Sequence, residues 1–139
     1  MTNLFFYKTL VESVDFTGTD LEDHNGHGTQ VALLLLGAAP GTHLYSAKVL
    51  DNTGNGTPKA LIEGIRWATS KKVTIINISA GIYGKKWGLL DCQGDCDVCQ
   101  AAEEAGKAGI YVACAAGNIP NMTCCPATLG LKKGCYGLN

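Results

Sequence analysis

The sequence predicts an α/β fold organised around a parallel sheet, and three observations point there. Residues 73–78 and 110–115 are short apolar runs of the length and composition expected of strands buried on both faces. Residues 44–50 (Leu-Tyr-Ser-Ala-Lys-Val-Leu) read as a third strand. Between these runs lie two segments with helical periodicity and recognisable ends. Strand, helix, strand, helix, strand implies parallel pairing with right-handed crossovers.

The first strand is closed by the turn-forming run Asp51-Asn52-Thr53-Gly54-Asn55-Gly56. A helix follows, with Thr57 as its cap and Pro58 in its first turn. Leu61, Ile62, Ile65 and Ala68 form its apolar stripe. After the run at 73–78, Asp97 reads as the cap of a helix reaching about Ala108, ended by Gly109. No repeat, low-complexity stretch or linker interrupts the chain, so one domain spanning 1–139 is expected.

Composition narrows the function classes. The 139 residues suffice for one sizeable core, and 46% apolar content with 18 glycines suits a compact, turn-rich protein. A net charge of -1 gives no reason to expect nucleic acid or an anionic membrane as partner. The longest apolar run, residues 31–36, is too short to span a bilayer. Leu4, Phe5 and Phe6 lack both a preceding basic stretch and a following small-residue cleavage site, so no signal peptide is expected. Localisation stays open.

Two segments carry chemistry. In Asp23-His24-Asn25-Gly26-His27-Gly28-Thr29, a histidine sits between glycines directly before an apolar helix. Small neighbours leave the imidazole approachable. The helix start disfavours its charged form, so a catalytic histidine there needs a carboxylate partner. In Val112-Ala113-Cys114-Ala115-Ala116-Gly117-Asn118, an asparagine follows the carboxyl end of a strand, where open α/β sheets place ligands. Its carboxamide can donate to a developing oxyanion. Taken singly, each also reads as ordinary structure, a histidine in a turn and an asparagine after a strand.

Together with four further stretches, these segments resemble the subtilase family of serine peptidases. Ala39-Pro40 and residues 44–50 are similar to its "ApxaxLyavKVL" run. Gly54-Asn55-Gly56 with Ile62-Glu63-Gly64-Ile65-Arg66-Trp67-Ala68 is similar to "G-x-G … I-x-G-I-x-W-A". Residues 73–81 are similar to "dVINmSlG". The resemblance covers about Asp15 to Pro126 in the family's order. It implies a subtilisin-like three-layer architecture, a parallel sheet flanked by helices, truncated at both ends. It further implies His27 as the triad histidine and Asn118 as the oxyanion donor. Gly54, Asn55 and Gly56 would form an edge for an extended peptide or protein substrate. Ser79, Ala80 and Gly81 would line the other side, with Ala115, Ala116 and Gly117 walling the main specificity pocket. Glycines on an edge suit this, because they let another backbone approach.

The triad is incomplete. Subtilases order it Asp, His, Ser, and no serine occurs among the 21 residues after Asn118. Ser13, Ser46, Ser70 and Ser79 lie outside the nucleophile's Gly-Thr-Ser-x-Ala context. Asp15, in Val14-Asp15-Phe16-Thr17-Gly18, is the candidate carboxylate partner, but it precedes His27 by only 12 residues. By register it matches the strand just before the histidine helix, which puts the triad aspartate upstream of Met1. The early Gly37-Ala38-Ala39-Pro40 leaves no room for the family's calcium loop, so no calcium is expected at that position. No cofactor is expected.

Seven cysteines crowd the C-terminal third. Cys92-x3-Cys96-x2-Cys99 and Cys124-Cys125-Pro126 flank the oxyanion strand. By resemblance to subtilases with cysteines at these two places, a disulfide between the Cys96/Cys99 pair and the Cys124/Cys125 pair is the first expectation. A four-thiolate zinc site is second and an iron–sulfur site third. Cys114 reads as a small core residue; Cys135 carries no signal.

Three functions follow as alternatives. The first is a serine endopeptidase by family, inactive as this chain alone for lack of the nucleophile. The second is a non-catalytic peptide-binding module, and the third a thiol or metal module using Cys92 to Cys125. Exposed edges on a truncated sheet would favour self-association or pairing with a complementing fragment.

Overall fold

The computed structural model describes residues 9–83, 85–86, 90–119 and 122–129. Cys135 and the Leu4-Phe5-Phe6 segment lie outside them. The chain divides into two compact units that part between Gly64 and Ile65.

In the first unit, β1 (Leu10–Asp15) pairs in parallel with β2 (Leu44–Lys48), with Asp15 opposite Lys48. Helix α1 (His27–Ala38) forms the connection between them. After β2 the chain turns around Asp51, whose Oδ1 accepts from Thr53 N–H, Thr53 Oγ1 and Asn55 N–H at 2.9, 2.6 and 3.0 Å. Helix α2 (Pro58–Ser70) then begins as expected: Thr57 Oγ1 accepts the Ala60 N–H at 3.1 Å, with Pro58 in the first helical position. Leu61 and Ile65 of its stripe are buried, with Ile62 and Ala68 half-buried, and Ala60 is buried beside them. At Gly64 the helix lies against β2, where a Cβ would stand 2.6 Å from Val49 Cγ1. Only glycine permits that approach.

In the second unit, β3 (Ile75–Ile78) pairs in parallel with β6 (Tyr111–Cys114). A small antiparallel pair, β4 (Lys85–Lys86) and β5 (Leu90–Asp91), lies between them in sequence and was not foreseen. Helix α3 (Asp97–Lys107) buries Val98, Cys99, Ala101, Ala102 and Ala105, the spacing of one helical face. Its end is a Schellman closure. Ile110 N–H reaches the Ala105 carbonyl at 3.1 Å and Gly109 N–H reaches Gly106 at 3.0 Å, with Gly109 at φ 85°. Glu103–Lys107 (3.1 Å) and Glu104–Arg66 (3.6 Å) decorate the polar side.

Two sequence expectations are corrected. The cap of α3 is Cys96, in extended backbone and without a side-chain cap; Asp97 is the first helical residue, where its charge still complements the helix dipole. Neither β3 nor β6 is buried on both faces: Ile76 and Ile78 are buried, whereas Ile75 and Asn77 are exposed, as is Tyr111 opposite Ile75. Among the described residues, nothing covers that second face.

Candidate active-site segments and a thiol cluster

His27 is the first residue of α1 and is exposed. What fixes the helix start is a neighbour. Asp23 Oδ2 accepts from Thr29 N–H and Thr29 Oγ1, both at 2.7 Å, and Asp23 Oδ1 accepts from Gly26 N–H at 2.8 Å. Gly26, at φ 90°, offers no side chain of its own, so the carboxylate three residues upstream caps the helix instead. Burial alone would raise the Asp23 pKa; the hydrogen bonds from Thr29 and Gly26 outweigh it and hold the carboxyl below its ordinary value.

The loop carrying Asp23 is tied down from β2. Lys48 Nζ donates to the carbonyls of Asp20 (2.9 Å) and Glu22 (2.7 Å) and to Asn52 Oδ1 (2.7 Å), and its side chain is only 14% exposed. One ammonium therefore joins the segment before His27 to the turn after β2. Asp15, at the end of β1, turns back on its own chain. Its Oδ1 accepts from Thr17 N–H at 2.8 Å and Thr17 Oγ1 at 2.6 Å, and the Thr17 hydroxyl foremost keeps its carboxyl below the usual range. This geometry makes Asp15 a turn-former at a strand end.

Gly54 and Gly56 have local reasons to be glycine. Gly54 has φ 84° beside the Asn25 carboxamide, and a Cβ on Gly56 would stand 2.6 Å from the Val49 carbonyl oxygen. Gly56 forms an antiparallel bridge with Leu50, and Asn55 is exposed in the turn.

In the second unit, Ser79, Ala80 and Gly81 follow β3, and Ser79 Oγ accepts from Asn77 Nδ2 at 2.9 Å. Ala115 extends the parallel pairing through its N–H to Ile78 O (2.9 Å), and Ala116 O accepts from Cys124 N–H at 2.9 Å. Gly117 takes φ 107°, and Asn118 stands exposed beyond the carboxyl end of β6. The Tyr83 hydroxyl packs on Gly117 and accepts the N–H groups of Asn118 (2.6 Å) and Ile119 (3.2 Å). Tyr83 thereby fixes the turn that presents Asn118. No motif in the sequence flags it.

The cysteines sort differently from the expected pairs. The Sγ atoms of Cys92, Cys96, Cys99 and Cys125 all lie within 4.8 Å of one another. Cys124 points elsewhere, its thiol donating to Ala115 O at 3.1 Å. All six described cysteines are free thiols. A hydrogen bond from Cys125, against the effect of burial, brings Cys99 down to about 5, while burial pushes Cys96 up to about 11. The hydrogen bond to Cys99, then burial, raises Cys125. The buried Thr128 hydroxyl lies 3.2 Å from both Cys99 Sγ and Cys125 Sγ.

With this geometry in place, comparison with known proteins decides the family. The Subtilase family profile matches residues 6–130. This chain belongs to the subtilase family. Subtilisin DY of Bacillus licheniformis is 39% identical over 105 residues, covering 69% of this chain and 35% of that protein. A thermostable alkaline protease of Halalkalibacterium halodurans is 37% identical over 105 residues, covering 69% of this chain and 27% of that protein. Among solved structures, a cold-adapted subtilisin-like serine proteinase superposes with a TM-score of 0.68 at 27% identity. That match covers 84% of this chain and 42% of the other. The α/β fold is thus subtilisin-like, and this subtilase chain spans about a third or less of the curated relatives' length.

Proposed function

We propose that this chain supplies the histidine and the oxyanion asparagine of a subtilisin-like serine endopeptidase acting on extended peptides or proteins. The observation that carries the reading is the family match over residues 6–130, which takes in both chemical segments in the family's order. His27 would act as general base, accepting the proton of a serine hydroxyl as it attacks the scissile carbonyl, then returning it to the leaving amine. Its position at the start of α1 opposes the imidazolium, so turnover needs a carboxylate beside it. Asp15 holds Thr17 through Oδ1, and because it falls by register on the strand just before the histidine helix, we assign the carboxylate partner, like the serine, to other polypeptide. Asn118 would donate its carboxamide N–H to the oxyanion. A single such donor is worth about 2.7–4 kcal/mol in subtilisin, a value that belongs to that enzyme. Gly54, Asn55 and Gly56 would offer backbone to one edge of the substrate. Ser79, Ala80 and Gly81 would offer it to the other, with Ala115, Ala116 and Gly117 beside the side-chain pocket.

The 139 residues alone are then expected to hydrolyse no peptide and to take no label from a fluorophosphonate; labelling would overturn the assignment. The full product of the gene should cleave a chromogenic peptide, and His27→Ala should reduce that cleavage by at least about 1,000-fold. Unchanged hydrolysis in that variant would remove His27 from catalysis. The glycine-lined edge at Gly54 and Gly56 also suits a second reading, a peptide-binding module without chemistry. It predicts that the chain alone binds extended peptides by calorimetry, and no heat of binding would dismiss it.

A further inference from the structure

We propose that Cys92, Cys96, Cys99 and Cys125 form a tetrathiolate site for one zinc ion, clamping the start of α3 to the segment that follows Asn118. Zinc holds thiolates at about 2.3 Å, so sulfurs around one tetrahedral ion lie about 3.8 Å apart. Cys92 Sγ and Cys99 Sγ are 3.9 Å apart, and all four sulfurs fall within 4.8 Å of one another. The intervals of three residues from Cys92 to Cys96 and two from Cys96 to Cys99 fall within the two to four found between cysteine ligands of structural zinc sites, and Cys125 adds the fourth sulfur from a distant loop.

The surroundings are built for such an ion. Cys92, Cys99 and Cys125 are buried and Cys96 is half-buried, so a closed structural site fits better than an open one. The buried Thr128 hydroxyl lies within hydrogen-bonding distance of two of the sulfurs, those of Cys99 and Cys125. Donors of this kind orient thiolate ligands and spread their charge. Gly94, at φ 80°, leaves the Cys92–Cys96 loop pressed on Thr128 and Leu129; a Cβ there would stand 3.2 Å from Leu129 Cα. The backbone packing at Gly94 thus holds the two ligand loops side by side.

The alternatives fit less well. Four thiolates each bound to a different iron of a cluster stand farther apart than four on one ion. A cluster serving a small-molecule cofactor would also keep one position free, whereas Cys125 fills the fourth. A disulfide using Cys124 would need that side chain to leave Ala115 O. Binding involves no redox change: each ligand thiol still protonated releases its proton to solvent as its sulfur bonds the metal.

The test is metal analysis of the protein purified anaerobically with reductant, followed by titration of the stripped protein with Zn2+ and Co2+. About one zinc per chain is expected, and Co2+ should give thiolate-to-metal charge transfer with tetrahedral ligand-field bands. Cys96→Ser should weaken zinc binding at least 100-fold, and Thr128→Val about 10-fold. Cys124→Ser should bind fully. Should a ligand variant not fold, mass spectrometry of the alkylated wild-type protein decides alone: zinc should shield four cysteines that become reactive on chelation. Less than a tenth of a zinc per chain after titration, a disulfide within the four, or iron with inorganic sulfide would each overturn the proposal.

Discussion

Removing the carboxylate of Asp23 should loosen the start of α1, the helix that begins at His27. Asp23 accepts three hydrogen bonds, from Gly26 N–H, Thr29 N–H and Thr29 Oγ1, at 2.7–2.8 Å. A helix cap of this type is worth about 0.5–2 kcal/mol, and solvent around this exposed side chain places Asp23→Ala near about 1 kcal/mol. With a urea slope of about 1–3 kcal/mol/M, the unfolding midpoint should fall by about 0.3–1 M at pH 7. The pH dependence gives a second, independent reading. The folded pKa of Asp23 lies below the unfolded value of 3.8. The native state therefore binds that proton more weakly. Its contribution is complete above 3.8 and is lost as pH falls through the folded value. Urea midpoints of both proteins by far-ultraviolet circular dichroism should differ at pH 7 and converge in acid below the folded value. Equal midpoints at pH 7 would refute the capping role. A gap that persists undiminished into strong acid would show that the loss is packing and not the carboxylate.

Other perturbations test the remaining supports. Lys48→Met removes two hydrogen bonds that hold the loop before His27 and a third to Asn52, and should cost about 2 kcal/mol; limited proteolysis should then cut within residues 17–26, and unchanged protection would refute the brace. Tyr83→Phe strips the acceptor from the Asn118 and Ile119 amides, and their hydrogen exchange should quicken by about 10-fold, with no change counting against the contact. Gly81→Ala drives a methyl into Cys124 and should cost about 1–3 kcal/mol in urea unfolding; a neutral result would show that Cys124 can move aside.

Local chemistry was the legible part of this sequence. Thr57, Pro58 and Gly109 marked helix ends because each satisfies or stops a backbone pattern within a few residues. Parallel pairing followed from the alternation of elements, and the register Ile75 to Tyr111 agrees with it. Asp23, Lys48 and Tyr83 were not legible, because their partners are specified by how loops close and not by a period. Asp23 carried a faint signal: a carboxylate three residues before a glycine and six before a threonine, at a helix start with no other cap. Lys48 sat inside a strand pattern that says nothing of where an ammonium ends. The thiol cluster was half legible. Spacing assembled Cys92, Cys96 and Cys99, but only the bridge between Ile82 and Cys125 decides which of two adjacent cysteines turns inward.

The apolar residues make a different kind of statement. Leu33, Leu34, Leu35 and Leu36 run consecutively through α1, and four adjacent leucines leave no polar stripe on a helix. Such a helix is suited to burial from every side, yet Ala32 is its one buried residue and Leu34 is 74% exposed. In the second unit, Ile75 and Tyr111, paired across β3 and β6, are 59% and 67% exposed. Each unit thus carries apolar surface that the described residues do not cover, on the same elements that present His27 and lead to Asn118. Burying a leucine is worth about 1.5–3 kcal/mol, so the three leucines at 33–35 alone place several kcal/mol on whatever covers α1. The capping by Asp23, the Lys48 brace and the thiol cluster are all internal to their units and need no such cover. Local hydrogen bonds can therefore hold the chemical segments in shape without the hydrophobic cover that these faces lack among the described residues.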